Sequence, residues 1–223
     1  MQRGVGNEGR SPPAGHGPAA DPVRHSYAKR AAGYDRWWAS YVAATIGQTL
    51  SRVQLDGGEA LLDVGCGTGT LLDTLSQSWP DLALSGMDLS PEMLQVAAQK
   101  LGGRAQLMLG EANALPFADG AFQVLVSTSV FHYLRDPAGA LAEFYRVLTP
   151  GGRLVITDWC DDYLACRVCS WFVRAWDPSH ERILGSAECR QIMAASAFDL
   201  LSLERYKINW LWGMMTMIAK KPG

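Results

Sequence analysis

The run Leu61-Leu62-Asp63-Val64-Gly65-Cys66-Gly67-Thr68-Gly69 constrains this chain more than any other segment. It reads as a short buried strand that breaks into a glycine-rich turn, with a helix to follow over 71–78. Glycine has no Cβ, so the turn takes positive φ and lets a ligand press against bare backbone. A helix starting just after it aims its first amides, and the positive end of its dipole, at that ligand. The arrangement suits a nucleotide-like cofactor. The spacing is not that of a dinucleotide loop, which reads G-x-G-x-x-G; here the glycines fall at 65, 67 and 69, and Thr70 stands where the third would be. Asp63, two residues ahead of Gly65, is also foreign to that fingerprint. An acid at the tip of a strand accepts a hydrogen bond from an ammonium group, which fits an amino-acid-like cofactor better than a pyrophosphate.

The segments that follow agree with this reading. An apolar-rich run over 82–87 ends in Asp88, twenty-five residues after Asp63, close to the separation of an acid that grips a ribose diol. Ser90 then has the character of a helix N-cap and Pro91 of a first helical residue. Next come Gly110-Glu111-Ala112-Asn113-Ala114-Leu115-Pro116-Phe117, a strand over 122–127, the turn Leu148-Thr149-Pro150-Gly151-Gly152 and a strand over 153–157. In this order, across about 100 residues, these motifs resemble those of the class I S-adenosylmethionine-dependent methyltransferases, and within them the type 11 group, which includes the C-methyltransferases of ubiquinone and menaquinone synthesis. The resemblance implies S-adenosylmethionine as cofactor. It implies a site formed by Asp63, Gly65, Cys66, Gly67, Gly69, Asp88, Leu89, Met93, Glu111, Ala112 and Ser127, with Tyr27 and Tyr34 against the methionine portion. Glu111 takes the place of the acid that meets the adenine amino group, where the family more often has Asp; Cys66 and Thr68 serve through their backbone.

Strands alternate with helices as far as residue 157, which predicts a parallel sheet with right-handed crossovers. Two strand-like runs over 198–207 and 210–220 are joined near Ile208-Asn209 with no room for a helix, so they pair antiparallel. The resemblance implies a Rossmann-like α/β fold: seven strands in the order 3-2-1-4-5-7-6, the last antiparallel, with helices on both faces. Residues 1–25, rich in Gly, Pro, Ala and charge, are expected to form a disordered tail. A single domain follows over 26–223, with an N-terminal cap helix over 26–56 and a substrate lid over 159–186. In the cap, Trp37, Trp38 and Tyr41 are equally well explained by packing on the sheet.

With 48% hydrophobic residues and a net charge of −2 the chain can bury a core and lacks the basic character of a nucleic-acid binder. No apolar run has the roughly 20 residues of a membrane span, and the first residues lack the apolar stretch of a secretion signal. The expected address is the cytoplasm, with the five cysteines as thiols. Monomer and homodimer remain open.

The aromatics Trp159, Tyr163, Trp171, Phe172 and Trp176 in the lid suggest a flat or apolar small acceptor. If the acceptor carries a proton, His132 is the leading candidate base, with Asp158 next and Asp161 weaker. The competing reading of His132 is a histidine satisfying a loop or helix cap, and His180 reads as a turn residue. No metal site is expected. A sharper alternative uses Cys160, Cys166 and Cys169 as a thiol site for a thiol- or arsenic-methylating enzyme, although a second C-x-x-C pair is missing. A protein that binds the cofactor without catalysis is a further alternative; a nicotinamide oxidoreductase is opposed by the glycine spacing and the terminal hairpin.

Overall fold

A computed structural model describes residues 22–176 and 183–223. The expected His180 turn lies outside the described residues, as does all but the end of the expected tail. The chain opens with helices α1 (Pro22–Arg30) and α2 (Tyr34–Leu50), joined by the 3-10 turn Ala31–Gly33. Helix therefore begins at Pro22, inside the tail drawn to residue 25, and the single cap helix is two. Glycine is a poor interior helix residue, and the break at Gly33 lets α1 turn away from α2 to meet α4.

The remaining elements are β1 (Ala60–Val64), α3 (Thr70–Ser78), β2 (Ala83–Asp88), α4 (Pro91–Leu101), β3 (Gln106–Leu109), β4 (Phe122–Thr128), α5 (Pro137–Val147), β5 (Leu148–Trp159), α6 (Leu164–Trp176), α7 (Ser186–Ala194), β6 (Asp199–Lys207) and β7 (Gly213–Lys220). They build one seven-stranded sheet in the order β3-β2-β1-β4-β5-β7-β6. Strands β1 to β5 pair in parallel, and β7 runs antiparallel to both β5 and β6. The fold is the one expected.

Both faces of the sheet are covered, as a parallel sheet requires. Alternate residues of β1 serve opposite layers: Leu61 packs with Leu71, Leu72 and Leu75 of α3 and Ala97 of α4, while Leu62 packs with Leu141 and Phe144 of α5 and Met193 of α7. Helix α4 starts as its sequence dictates, with Ser90 Oγ accepting from the Met93 amide at 3.2 Å and Pro91 in the first turn.

One strand is longer than its sequence suggests. The segment 148–152, expected to be a turn, is the first part of β5. Gly151 adopts φ +77°, and the pairing with β4 shifts register between Phe122 and Val124. The Gly151 amide donates to the Lys221 carbonyl, and the Lys221 amide to Gly152, each at 2.9 Å. A bulge at a residue free to take positive φ keeps a Pro-Gly-Gly run within the sheet. Among the described residues no helix is long and apolar enough to cross a membrane.

Candidate active site

The carboxyl ends of β1, β2 and β4 converge, and the glycine turn lies across them. Gly65, Gly67 and Gly69 all have positive φ, of 76°, 53° and 75°. The three do different things. A Cβ on Gly65 would stand 2.2 Å from Val130 Cγ2, and one on Gly69 3.0 Å from Ala97 Cβ, so these two let the turn close against the segment just past β4 and against α4. A Cβ on Gly67 would meet nothing within 4 Å; the space above it is open. The Gly65 and Cys66 amides both donate to the Met87 carbonyl, at 2.7 and 3.0 Å, tying the turn to the end of β2. Gly65→Ala is expected to destabilise the fold by about 2–3 kcal/mol, from positive φ and the clash together. Adding Val130→Ala should recover part of that loss in urea unfolding; no recovery would mean the clash is not the cause.

Two acids flank the turn. Asp88 is held by the Gly67 amide on Oδ2 at 2.8 Å and the Ser90 amide on Oδ1 at 2.9 Å. Asp63 is 1% exposed and its Oδ1 has no hydrogen-bond partner. Burial, with the Asp88 charge adding to it, pushes the Asp63 carboxyl up to about 8. A buried carboxylate without a partner is unfavourable, so this group is poised for a cation.

The N-terminal cap is clamped to the turn. Asp35 of α2 accepts from Thr68 at 2.5 Å and pairs with Lys100 of α4 at 2.7 Å, while Lys100 also donates to Thr70 at 2.7 Å. Thr68 thus acts through its side chain, which sequence reasoning missed. The clamp joins α2, which carries Tyr34, to the turn, and Tyr27 of α1 lies beside Tyr34. Their rings lie 6.0 Å apart, Tyr27 donates to the Tyr133 hydroxyl at 3.2 Å, and the Asp88 charge is among the influences that push the Tyr34 phenol up, after burial and Tyr133.

Beside the turn lies a cavity of about 330 Å³, in the size range of small-ligand sites. Its wall is aromatic: Tyr27, Tyr34, Trp38, Tyr41, Tyr133, Trp159 and Phe172, with Val173, Arg30, Ser129 and His132. His132, in its lining, pairs with the buried Asp158 behind it. The His132 ring is stacked on Trp159, with centroids 4.9 Å apart. Its Nδ1 lies 2.6 Å from Asp158 Oδ1, and its backbone amide donates to Oδ2 at 3.0 Å. Asp158 is 2% exposed and also accepts from the Trp159 amide at 2.6 Å. An acid so placed fixes the imidazole's tautomer and orientation and leaves Nε2, itself a buried atom, as the basic nitrogen. Both Asp158 oxygens are thus engaged, by His132 and by the Trp159 amide. Asp161 pairs with Arg167 at 3.6 Å and does not line the cavity.

Other expected residues stand apart. Ser127 donates to the Val64 carbonyl at 3.0 Å, so its hydroxyl braces β1 against β4. Met93 and Cys66 are buried in the core, at 1% and 7% exposure. Leu89 and Ala112 are half-buried, and Glu111 is exposed past the end of β3. Trp37 stands in solvent at 77% exposure, so packing on the sheet, one of its two readings, does not apply to it. The cysteine alternative is not favoured. Burial pushes the Cys160 thiol up to about 11 and Cys166 up to about 12, so neither is a ready thiolate, and Cys166 donates to the Gly213 carbonyl at 3.6 Å.

Residues 62–156 match the family model described as a methyltransferase domain. The chain is 34% identical over 127 residues to the ubiquinone/menaquinone biosynthesis C-methyltransferase of Desulfotalea psychrophila, covering 56% of this chain and 49% of that protein. It is 33% identical over 135 residues to the malonyl-[acyl-carrier protein] O-methyltransferase of Hahella chejuensis, covering 60% and 48%. It thus spans about half the length of these curated relatives. Among solved structures, the methyltransferase in complex with the Trm112 methyltransferase activator of Haloferax volcanii superposes with a TM-score of 0.79 at 20% identity, covering 88% of this chain and 98% of that one.

Proposed function

We propose that this chain, whose residues 62–156 are a methyltransferase domain, moves a methyl group from S-adenosylmethionine to a small, flat organic acceptor held in the aromatic cavity. The observation that carries this reading is Asp63: a buried carboxylate with an unpartnered oxygen, two residues before a glycine turn that is open above Gly67. Such an acid offers a dinucleotide's pyrophosphate no partner, whereas an ammonium group would draw it into its ionised form.

The residues present fit the cofactor. Asp63 would take its ammonium group, with the backbone of Gly65–Gly67 beside it, Asp88 would hold the ribose diol, and Glu111 with the Ala112 amide would meet the adenine. Tyr27 and Tyr34 would cover the methionine portion. When bound, S-adenosylmethionine supplies an electrophilic methyl on a sulfonium, so transfer is a displacement in which the acceptor's electron pair forms the new bond and the sulfur keeps the old one. The chain's own part is to place the acceptor, exclude water and take a proton. Placement alone supplies much of the rate. Trp159 and Tyr133 press on the His132 ring, Asp158 holds it, and Nε2 receives the acceptor's proton. This pair also argues for an enzyme over a protein that only binds the cofactor.

Incubation with methyl-labelled S-adenosylmethionine and a panel of phenols, quinols and thiols, followed by mass spectrometry, tests the proposal. Label in the acceptor together with S-adenosylhomocysteine is the expected result. Bound cofactor with no transfer to any of them would favour a non-catalytic role.

A further inference from the structure

Helix α6 is packed on one side and apolar on the other. Cys166 and Ser170 face inward and are buried. On the opposite side Leu164, Val168 and Trp171 follow one another at helical spacing, and Phe172 widens the stripe. Leu164 is 73% exposed and Trp171 68%, and Val168 and Phe172 are exposed as well. The Trp171 and Phe172 rings meet edge to face, with centroids 4.9 Å apart. The turn between β6 and β7 extends this surface: Trp210 and Leu211 line one groove with Leu164, Val168 and Phe172. Asn209 Oδ1 accepts from the Leu211 and Trp212 amides at 2.9 and 2.8 Å, which fixes the turn and holds Trp210 out at 80% exposure. Scattered apolar residues are ordinary on a protein surface; a contiguous group with two tryptophans marks an interaction site.

Positive charge gathers beside this patch. Phe172 lines both the outer groove and the aromatic cavity, so the two adjoin. Two helices meet at that rim. Helix α1, which gives the cavity Tyr27 and Arg30, contains Arg24, Lys29 and Arg30 and no acid. Helix α6, which gives it Phe172 and Val173, contains Arg167 and Arg174 and no acid. Lys207, at the end of β6, lies 5.5 Å from the centre of the Tyr163 ring. Two acids reach this group: Asp161 pairs with Arg167 at 3.6 Å, and Glu92 feels the charge of Arg24. They leave a positive excess on a chain whose net charge is −2.

The nature of the cover follows from both properties. Residues 1–21 and 177–182 of this chain hold only Met1 and Val5 as large apolar side chains, too few to bury the patch. A second copy docked about a two-fold axis would set one positive rim against another. An anionic lipid surface matches the whole: tryptophan rings lie at headgroup level, leucine, valine and phenylalanine reach below them, and lysine and arginine meet the phosphates. We propose that α6 and the β6–β7 turn dock this protein onto the surface of an anionic lipid bilayer, lying in its interface without crossing it. The docking is independent of what the cavity binds.

Flotation of the full chain with vesicles tests this, using phosphatidylcholine alone and phosphatidylcholine carrying about one-third phosphatidylglycerol. The expected result is flotation with the anionic vesicles, partition at least about tenfold weaker onto the neutral ones, and weakening by added salt. Trp171→Ser and Trp210→Ser, both at exposed positions, should each lower partition about tenfold, and Lys29→Glu by about as much, with the melting temperature unchanged. No flotation with anionic vesicles, equal partition onto both kinds, or undiminished partition of the Trp171→Ser/Trp210→Ser double variant would each overturn the proposal. A dimer seen by sedimentation, abolished in that double variant and accompanied by no flotation, would also overturn it and give the patch to a second copy.

Discussion

Asp63→Asn is expected to make the protein more stable and nearly unable to bind S-adenosylmethionine. The folded carboxyl titrates near 8 because it is buried with Asp88 close by, whereas in the unfolded chain it titrates near its ordinary value of about 4. Below about pH 4 it is protonated in both states and has no effect on stability. As pH rises from there the unfolded chain gives up the proton and the folded chain keeps it, so this group removes stability progressively until its folded form also ionises near pH 8. The amide has no such penalty. The gain in melting temperature of Asp63→Asn over the parent should therefore widen between about pH 4 and 8 and level off above; a gain that does not vary with pH contradicts the burial argument. Binding moves the other way. Losing one partner of a buried charge pair removes about 2–5 kcal/mol, roughly thirtyfold or more in affinity. In the parent, an incoming ammonium group favours the ionised acid, so binding releases a proton below pH 8 and affinity rises with pH up to that point. Calorimetric heats that depend on the ionisation enthalpy of the buffer would register the released proton.

His132→Ala is expected to lower kcat by about a hundredfold to ten-thousandfold at neutral pH, the usual contribution of a placed general base, while S-adenosylhomocysteine affinity stays within about twofold of the parent's, well under the 1.4 kcal/mol of a tenfold change. The ring stacks on Trp159 and Tyr133 and is held by Asp158. Asp158→Asn should lower kcat nearly as much by disturbing the imidazole's tautomer, and the double variant should be little worse than either single one, because the two act as a unit. An unaltered kcat in His132→Ala would return the histidine to a packing role beneath Trp159.

Much of the cofactor half was legible in the sequence because its determinants are local. Gly65, Gly67, Gly69, Ser90 and Pro91 act through their own φ, their lack of a side chain or a hydrogen bond three residues away. Asp63 and Asp88 fall at the tips of runs whose apolar character already marks them as strands. The terminal hairpin followed from a connection too short for a helix. The acceptor half was less legible because its contacts join distant segments. Tyr41 and Ser129 are 88 residues apart, and Trp159 is 118 from Tyr41; no spacing rule announces such pairs, and a serine at positive φ leaves no mark in the sequence. The His132–Asp158 pair was half-visible: both residues were named as candidates, but their union depends on the parallel pairing of β4 with β5, which brings the ends of the two strands together. The clamp of Asp35, Thr68 and Lys100 was missed for the same reason, since it joins α2, the glycine turn and α4. Trp37 was misread because an aromatic repeat does not say which side of α2 faces the sheet.

The claim on which the rest depends is that the glycine turn with Asp63 and Asp88 holds S-adenosylmethionine. Titration calorimetry of the purified chain with S-adenosylmethionine, S-adenosylhomocysteine and NAD addresses it directly. Micromolar binding of the first two and no heat from NAD is the predicted result. Binding of NAD with none of either adenosyl compound would contradict it.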